Sequence, residues 1–347
     1  MSNSNARQHV PTIYTLDEIN TVIAEESFEK DLIDGIQDGF VALENKEFFA
    51  CPIQTMGIPP FPFLEVEGYA AQTCVKSGYF KNGKYYVIKI ASGGSPHQNS
   101  GLMQVFSQKT GKLEAILLDD GILTEVRTAA IGALAAKLLA PKAISAIGML
   151  GTGIQARFQL GMLSSITDCR KVIVWGRTIS KVELFKQQMN EKGWEVLIAE
   201  KADDLLRQCD LVITTTCARE AVLGLEKITE IRESGLHITC IGADASGKME
   251  LAPGLVAKAD FLVADTVDQT AERGEFEKAL SDRLVSKESI LSLGKLIELP
   301  DQHRKENDNR LTIFDSSGVA LQDCIVAQMT YDALISLKKT ARRLEGE

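Results

Sequence analysis

The sequence predicts an α/β protein in two parts, a domain built on a parallel sheet covered on both faces and an α+β domain with a mainly antiparallel sheet. Three observations carry that expectation. From residue 48 to about 119 the texture changes to strand-like runs with only short turns between them. From residue 143 onward strand and helix alternate. The alternating region opens on IGMLGTGIQARFQL (147–160), an apolar run that breaks into glycines and resumes as a helix. A chain of 347 residues is long enough for two domains at roughly 100–200 residues each.

In chain order, residues 15–44 read as two helices, TLDEINTVIAEE and EKDLIDGIQDGFVALEN. GYAAQTCVKSGYF, GKYYVIKIASG, GLMQVFSQKTG and KLEAILLDDG then read as strands broken by KNG, SGGSP and KTGK turns. Short turns between successive strands imply a mainly antiparallel sheet. LTEVRTAAIGALAAKLLA (123–140) is an alanine-rich helix stopped by Pro141. Strands follow at AISAIGML, KVIVWG, EVLIA, LVITTT, HITCIG and FLVADT, with helical segments between most of them. That rhythm implies βαβ units and a sheet covered on both faces. The polar DQHRKENDNR (301–310) reads as an exposed loop, LTIFDSS (311–317) as a further strand, and GVALQDCIVAQMTYDALISLKK as the closing helix.

Composition narrows the function. Hydrophobic residues make up 45% and charged residues 24% of the chain, as in ordinary soluble proteins. A formal net charge of −9 argues against a general nucleic-acid binder, which needs a basic face to displace counterions. Seven cysteines are scattered without a CxxC pair and without metal-like spacing to the four histidines. That pattern favours reduced thiols in a reducing compartment. The first residues, MSNSNARQHVPTIYT, lack the apolar core of a secretory signal, and no apolar run reaches the roughly 18 residues of a membrane span. The expectation is a cytoplasmic protein.

The glycine turn has a chemical reading. Gly151-Thr152-Gly153-Ile154-Gln155-Ala156 follows a predicted strand and opens a predicted helix, the context in which GxGxx(G/A) binds a dinucleotide. Gly151 permits the tight turn, Gly153 lets a pyrophosphate approach the backbone, and Ala156 is small enough for helix and strand to pack closely. The helix N-terminus adds unpaired N–H groups for the phosphates. An NAD site usually places Asp or Glu at the end of the next strand. KVIVWGRTISK offers Gly176-Arg177-Thr178 instead. Arg177 and Thr178 suit a ribose 2′-phosphate, which favours NADP(H) over NAD(H).

Candidate chemistry lies outside the strand ends. Asp244, in HITCIGADASGKMEL, falls just past one and can exchange a proton with a substrate beside a nicotinamide; its bland alternative is an Asx-turn. Arg127 lies on LTEVRTAA and Lys89 within the apolar YYVIKIAS, where a cation is costly unless paired. Both can clamp a carboxylate, Arg127 with a bidentate fork. Their alternatives are a surface ion pair for Arg127 and the wet face of a sheet for Lys89. Lys76, in CVKSGYF, is a third internal cation. His9, His97, His237 and His303 have contexts that favour no histidine mechanism.

Together these segments resemble the ornithine cyclodeaminase/mu-crystallin family. The resemblance runs from about Tyr69 to Leu334 through IKIASG, TGKLEAILLDDGILTEVRTAAIGALAAKLLA, GTGIQARFQL, GADASGKMEL, ADTVDQTAERGE and TIFDSSGVALQD. It implies a substrate-binding and dimerisation domain from residues 1–125 with 320–347, a Rossmann domain at 126–319, and a homodimer. It implies that Lys89 and Arg127 hold the substrate carboxylate, with Gly318 near the substrate, and that Asp244 does the acid/base work. Dinucleotide contacts are implied for Gln104, Arg127, Gln155, Ala156, Arg177, Thr215, Thr216, Ile241, Ala245 and Ser317. The implied chemistry is hydride transfer between NAD(P)H and the imine carbon of a small 2-imino acid, or the reverse oxidative deamination. Ornithine cyclodeaminase and a mu-crystallin-like NADPH-binding protein are the alternatives. Ornithine cyclodeaminases carry a further substrate arginine near the stretch aligned with FFACPIQTMG. This chain has none between Arg7 and Arg127, which disfavours ornithine cyclisation. Lys76 supplies positive charge instead, as a substrate with two carboxylates such as iminosuccinate would use.

Overall fold

A computed structural model describes residues 9–57, 72–93, 100–224 and 234–344. The beginning of GYAAQTCVKSGYF (68–71), the SGGSP turn beyond Gly93, and His97 lie outside the described residues. In chain order β1 (Thr12–Tyr14), α1 (Leu16–Ile23) and α2 (Phe28–Glu44) come first. Six strands follow: β2 (Phe48–Ala50), β3 (Gln54–Gly57), β4 (Gln72–Phe80), β5 (Tyr85–Gly93), β6 (Ser100–Ser107) and β7 (Leu113–Leu117). Then come α3 (Ile122–Leu139), β8 (Ile147–Leu150), α4 (Ile154–Leu163), β9 (Lys171–Trp175), α5 (Ile179–Glu191), β10 (Glu195–Ile198), α6 (Asp204–Gln208) and β11 (Leu211–Thr214). The rest comprises β12 (Leu236–Cys240), α7 (Pro253–Ala257), β13 (Phe261–Ala264), α8 (Val267–Arg273), α9 (Glu277–Ser281), β14 (Ile290–Ser292), α10 (Leu293–Ile297), β15 (Leu311–Asp315) and α11 (Ala320–Leu344).

The chain divides into two compact units. One takes the described parts of Met1–Leu32, Asn45–Thr124 and Ala320–Glu347; the other takes Ile33–Glu44 and Glu125–Val319. In the first, β7, β6, β5 and β4 form an antiparallel sheet. The short β1 adds to it in parallel beside β7, and β2 and β3 pair in succession with the far edge of β4. Helix α11 packs on β4 and β5, and α1 packs on α11. Period-two alternation sends Val87, Lys89, Met103 and Val105 to the buried side. Tyr331 of α11 meets both Tyr14 and Tyr85 edge-on, at centroid distances of 6.1 and 5.3 Å.

The second unit is an eight-stranded parallel sheet in the order β10-β9-β8-β11-β12-β15-β13-β14. Its strands are apolar almost throughout because both faces are covered. Ile147 and Met149 pack into one core with Val172, Val174 and Ile213. Leu150 joins the other with Ile173, Val212 and Ile238. Four strands escape a reading based on periodicity, β1, β2, β3 and β14, since each has only three or four residues and owes its strand form to its partner. Strand β15 enters between β12 and β13 rather than beyond them.

The stretch 301–310 is largely exposed, as expected, with one exception. Arg304 is 2% exposed. Its guanidinium donates to the carbonyls of Leu139, Asp308, Arg310 and Leu236 at 2.9–3.1 Å. Polar composition does not reveal that five fixed donors will match the carbonyls left over at the end of α3 and the start of β12. Beside it, His237 is fully buried, with Nδ1 2.8 Å from Thr312 Oγ1 and Nε2 3.0 Å from Thr239 Oγ1. Burial first, and then the Arg304 charge, pull its pKa down to about 3. Among the described residues, no helix is long and apolar enough to cross a membrane.

The histidine has a consequence for acid stability. Its folded pKa lies below the ordinary value of 6.5, so the unfolded chain binds the extra proton across that window and stability falls as pH drops from about 6.5 toward 3. Urea unfolding of His237→Gln, measured at several pH values, is expected to fall less steeply than the parent over that range. Equal slopes would show that His237 does not titrate on unfolding.

Candidate active site

The loop between β8 and α4 is tight by construction. Gly151 has φ +105°, and a Cβ there would lie 2.8 Å from Thr215 Oγ1. Its N–H donates to Trp175 O at 2.9 Å. Gly153 caps α4 without any side-chain hydrogen bond, and a Cβ built on it meets nothing within 4 Å. Ala156 is fully buried one turn below. Arg157 fixes the loop from the side: Nη1 donates to Thr152 O at 2.6 Å and Gly153 O at 2.9 Å, and the guanidinium stacks 5.2 Å from the Phe185 ring centre. The result is a helix N-terminus with open space and no side-chain cap, which fits a dinucleotide phosphate. Ile154 is exposed beside it. The Gln155 side chain turns away to α3, donating to Glu125 O at 3.0 Å.

At the end of β9, Arg177 and Thr178 are exposed, and Thr178 caps α5 without a side-chain hydrogen bond. Strand β11, on the other side of β8, runs directly into Thr215 and Thr216. The Thr215 hydroxyl donates to Leu150 O at 3.1 Å, which ties β11 to β8. The Thr216 N–H donates to Glu250 Oε1 at 2.5 Å, while the Thr214 hydroxyl and Gly242 N–H reach Glu250 Oε2 at 2.6 and 3.0 Å. A Cβ on Gly242 would run into Thr216 O and Glu250 Oε2. The Gly151 loop and the loop after β12 therefore both abut Thr215–Thr216.

That second loop carries Asp244. Its side chain is 58% exposed and pairs with Lys248 Nζ at 2.6 Å. Burial works against the charge on Lys248, but the Asp244 carboxylate outweighs it and holds the ammonium above its usual pKa. Ile241 is buried and donates to Thr214 O at 3.0 Å, and Ala245 accepts from Lys248 N at 3.0 Å.

Further along the same sheet edge, Asp265 Oδ2 accepts from Gly318 N at 2.8 Å and Asp265 Oδ1 from Ser317 Oγ at 3.1 Å. Asp315 takes the Thr270 hydroxyl and the Glu275 N–H. Glu250, Glu275, Asp265 and Asp315 are all buried. Burial pushes Glu275 well above the usual carboxylate range, and the Glu250 charge adds to it. Burial raises Glu250 as well, with the hydrogen bonds from Thr214, Thr216 and Gly242 opposing the shift.

In the first unit Lys89 is 4% exposed, and its Nζ lies 3.1 Å from Asp323 Oδ1 of α11. Lys76, also buried, stands directly opposite Lys89 across the β4–β5 pair. The wet-face alternative for Lys89 is thus excluded. Asp119 is buried as well, its Oδ2 accepting from Leu123 N at 3.2 Å. Burial pushes its pKa up to about 6, against the pull of amide donors and Lys89. Gln104 pairs with Ile88 while Met103 pairs with Lys89, so Gln104 belongs to the opposite face of the sheet from Lys89. Arg127, on α3 in the second unit, is 5% exposed, which sets aside the surface ion pair.

Sequence reasoning overlooked the residues that hold the candidates in place: Arg157, Lys248, Glu250, Glu275, Asp315 and Asp323. A signal existed for some of them. Glu250 falls within GADASGKMEL and Asp315 ends the apolar LTIF run, where a carboxylate must be compensated.

The chain is similar to several known proteins. The family model described as ornithine cyclodeaminase/mu-crystallin matches residues 83–338. An uncharacterised cyclodeaminase of Sinorhizobium fredii is 32% identical over 87% of this chain and 90% of its own length. Alanine dehydrogenase of Archaeoglobus fulgidus is 35% identical over 68% of this chain and 70% of its own. The iminosuccinate reductase of Paracoccus denitrificans is 32% identical over 72% of this chain and 74% of its own. A crystal structure of that reductase in complex with NAD+ superposes with a TM-score of 0.80, at 25% identity, covering 95% of this chain and 97% of that one.

The two loop glycines are expected to separate binding from stability. Gly153→Ala adds a methyl that meets no protein atom within 4 Å, so the melting temperature stays within about 2 °C while the dinucleotide dissociation constant rises at least about tenfold. Gly151→Ala meets both an unfavourable φ and Thr215, and loses at least about 1 kcal/mol of stability. Thermal scans with fluorescence titration of NADH and NADPH check both. Unchanged dinucleotide binding in Gly153→Ala would dissociate this loop from the phosphates.

Proposed function

The chain belongs to the ornithine cyclodeaminase/mu-crystallin family, and we propose that it is an NAD(P)H-dependent reductase of small 2-imino acids, able to run in reverse as a deaminating dehydrogenase. The observation that carries this reading is the shared abutment on Thr215–Thr216. It makes the phosphate-binding loop and the loop bearing Asp244 neighbours at the carboxyl edge of one parallel sheet. Bound along the first loop, the dinucleotide supplies the hydride. Lys89, held by Asp323, and Arg127 anchor the substrate carboxylate. Asp244 handles the single proton taken up for each hydride added to the imine carbon. Holding carboxylate and proton donor in fixed places supplies much of the rate.

The preferred substrate is dicarboxylic, of the iminosuccinate type, because Lys76 and Lys89 put two buried cations side by side on β4 and β5. The preferred cofactor is NADP(H). Arg177 and Thr178 lie at the end of β9, where no carboxylate is available for a ribose 2′-hydroxyl. The working assembly is a homodimer, as an archaeal alanine dehydrogenase with bound NAD, 26% identical over 94% of this chain, is a dimer.

The test is a panel of 2-oxo acids with ammonia or methylamine, cyclic imines and ornithine, each with NADH and NADPH. A reductase consumes reduced nicotinamide one-for-one with its imine, whereas a cyclodeaminase turns over ornithine with no net change in nicotinamide absorbance. Asp244→Asn is expected to lower kcat at least about a hundredfold with dinucleotide affinity retained. Lys76→Met should depress the rate with iminosuccinate more than with an uncharged imino acid; an unchanged ratio removes Lys76 from substrate selection. Arg177→Ala should cost affinity for NADPH and spare NADH.

A further inference from the structure

Asp244 is the second residue of a loop, 243–251, that crosses exposed ground after β12, and a proton donor on such a loop needs to be held. The ties come from one short stretch running from the end of α8 into α9. Arg273 donates from Nε and Nη2 to Asp244 O at 3.0 and 2.5 Å. Glu277 accepts from Ser246 Oγ at 2.8 Å and from Gly247 N at 3.1 Å. Between them, Glu275 accepts from Glu250 N at 3.0 Å and Leu251 N at 2.6 Å. The alternate residues of Arg273-Gly274-Glu275-Phe276-Glu277 thus grip the loop near its start, at its middle and at its end. Glu275 is also anchored beneath, its own N–H donating to Asp315 Oδ2 at 3.1 Å.

We propose that Arg273, Glu275 and Glu277 are positioning residues that fix Asp244 for proton transfer, an inference that rests on the proton role given to Asp244 above. The hydrogen bonds just described run to Asp244, Ser246, Gly247, Glu250 and Leu251, and not to the Gly151 loop or Thr215–Thr216, which carry most of the positions assigned to the dinucleotide; of those positions, Ala245 alone lies within the gripped loop. Their loss therefore misplaces the proton donor and leaves the dinucleotide seated. A role in fold stability alone would lower melting temperature and affect binding and turnover together. Arg273 and Glu277 make their ties at exposed positions, which allows substitution without opening the core.

The experiment compares Arg273→Met, Glu277→Ala, Glu277→Gln and Asp244→Asn with the parent, measuring kcat, the dinucleotide dissociation constant and melting temperature with whichever imine of the panel is fastest. Arg273→Met and Glu277→Ala are expected to lower kcat about tenfold each, with dinucleotide affinity within about twofold. Glu277→Gln, which keeps one acceptor oxygen, should recover most of the activity lost in Glu277→Ala. If Asp244→Asn is inactive while Arg273→Met and Glu277→Ala keep parental kcat, the proton role stands and the positioning inference is overturned. A parallel fall of kcat and dinucleotide affinity with melting temperature overturns it as well. If Asp244→Asn turns over normally, the proton role itself fails and the inference goes with it. Should Arg273→Met not fold, the Glu277→Ala and Glu277→Gln pair decides the matter alone.

Discussion

Glu250 is fully buried, and its two oxygens take hydrogen bonds from Thr214, Thr216 and Gly242 at the ends of two adjacent strands. A parallel sheet ends in carbonyl and amide groups that no further strand satisfies. Here one carboxylate gathers three donors at that edge and draws the chain after β11 and the chain after β12 together. The close approach requires glycine at position 242, and it sets where Thr216 presents its backbone. Removing an ionised carboxylate from water is costly, and hydrogen bonds from fixed donors offset that cost. Glu275 repeats the device one layer lower, and Asp315 repeats it again. This rim of the second unit is therefore a relay of backbone amides on buried carboxylates.

Much of the architecture could be read from the sequence because the physics is local. Period-two runs with short turns give the antiparallel sheet, and the alternation from residue 143 gives the parallel one. The family, confirmed by the match over residues 83–338, was legible in the spacing of LTEVRTAA, GTGIQA and GADASGKME. What escaped reading is non-local. β1 and β14 are strands only because β7 and β13 lie beside them. Arg304 sits in a polar stretch, and only the assembled carbonyls around it explain its burial. Asp323 looks in sequence like an ordinary first-turn acid of a helix, and its partner Lys89 lies 234 residues away. Lys89 itself stands out because a cation in an apolar strand demands compensation.

The first unit answers that demand differently from the second. There, a negative charge is shared among amides; here, two lysines face each other across a strand pair, with carboxylates from α11 and from the turn before α3 near Lys89. Like charges directly opposite on one face of a sheet are destabilising. A buried pair of this kind costs stability unless nearby carboxylates such as Asp323 offset it.

The place of β15 has a bearing on how the chain comes to be folded. Residues 311–315 form the interior strand that joins β12 to β13 in the parallel sheet, and α11, immediately after, lies on β4 and β5 of the other unit. During synthesis, β13 and β14 emerge with no inner neighbour, and the antiparallel sheet with a bare face, until those last segments leave the ribosome. Neither unit can complete its core from the residues made first. Both close late, on the same short stretch of polypeptide, and the preceding 310 residues must remain soluble with apolar surface uncovered until it arrives.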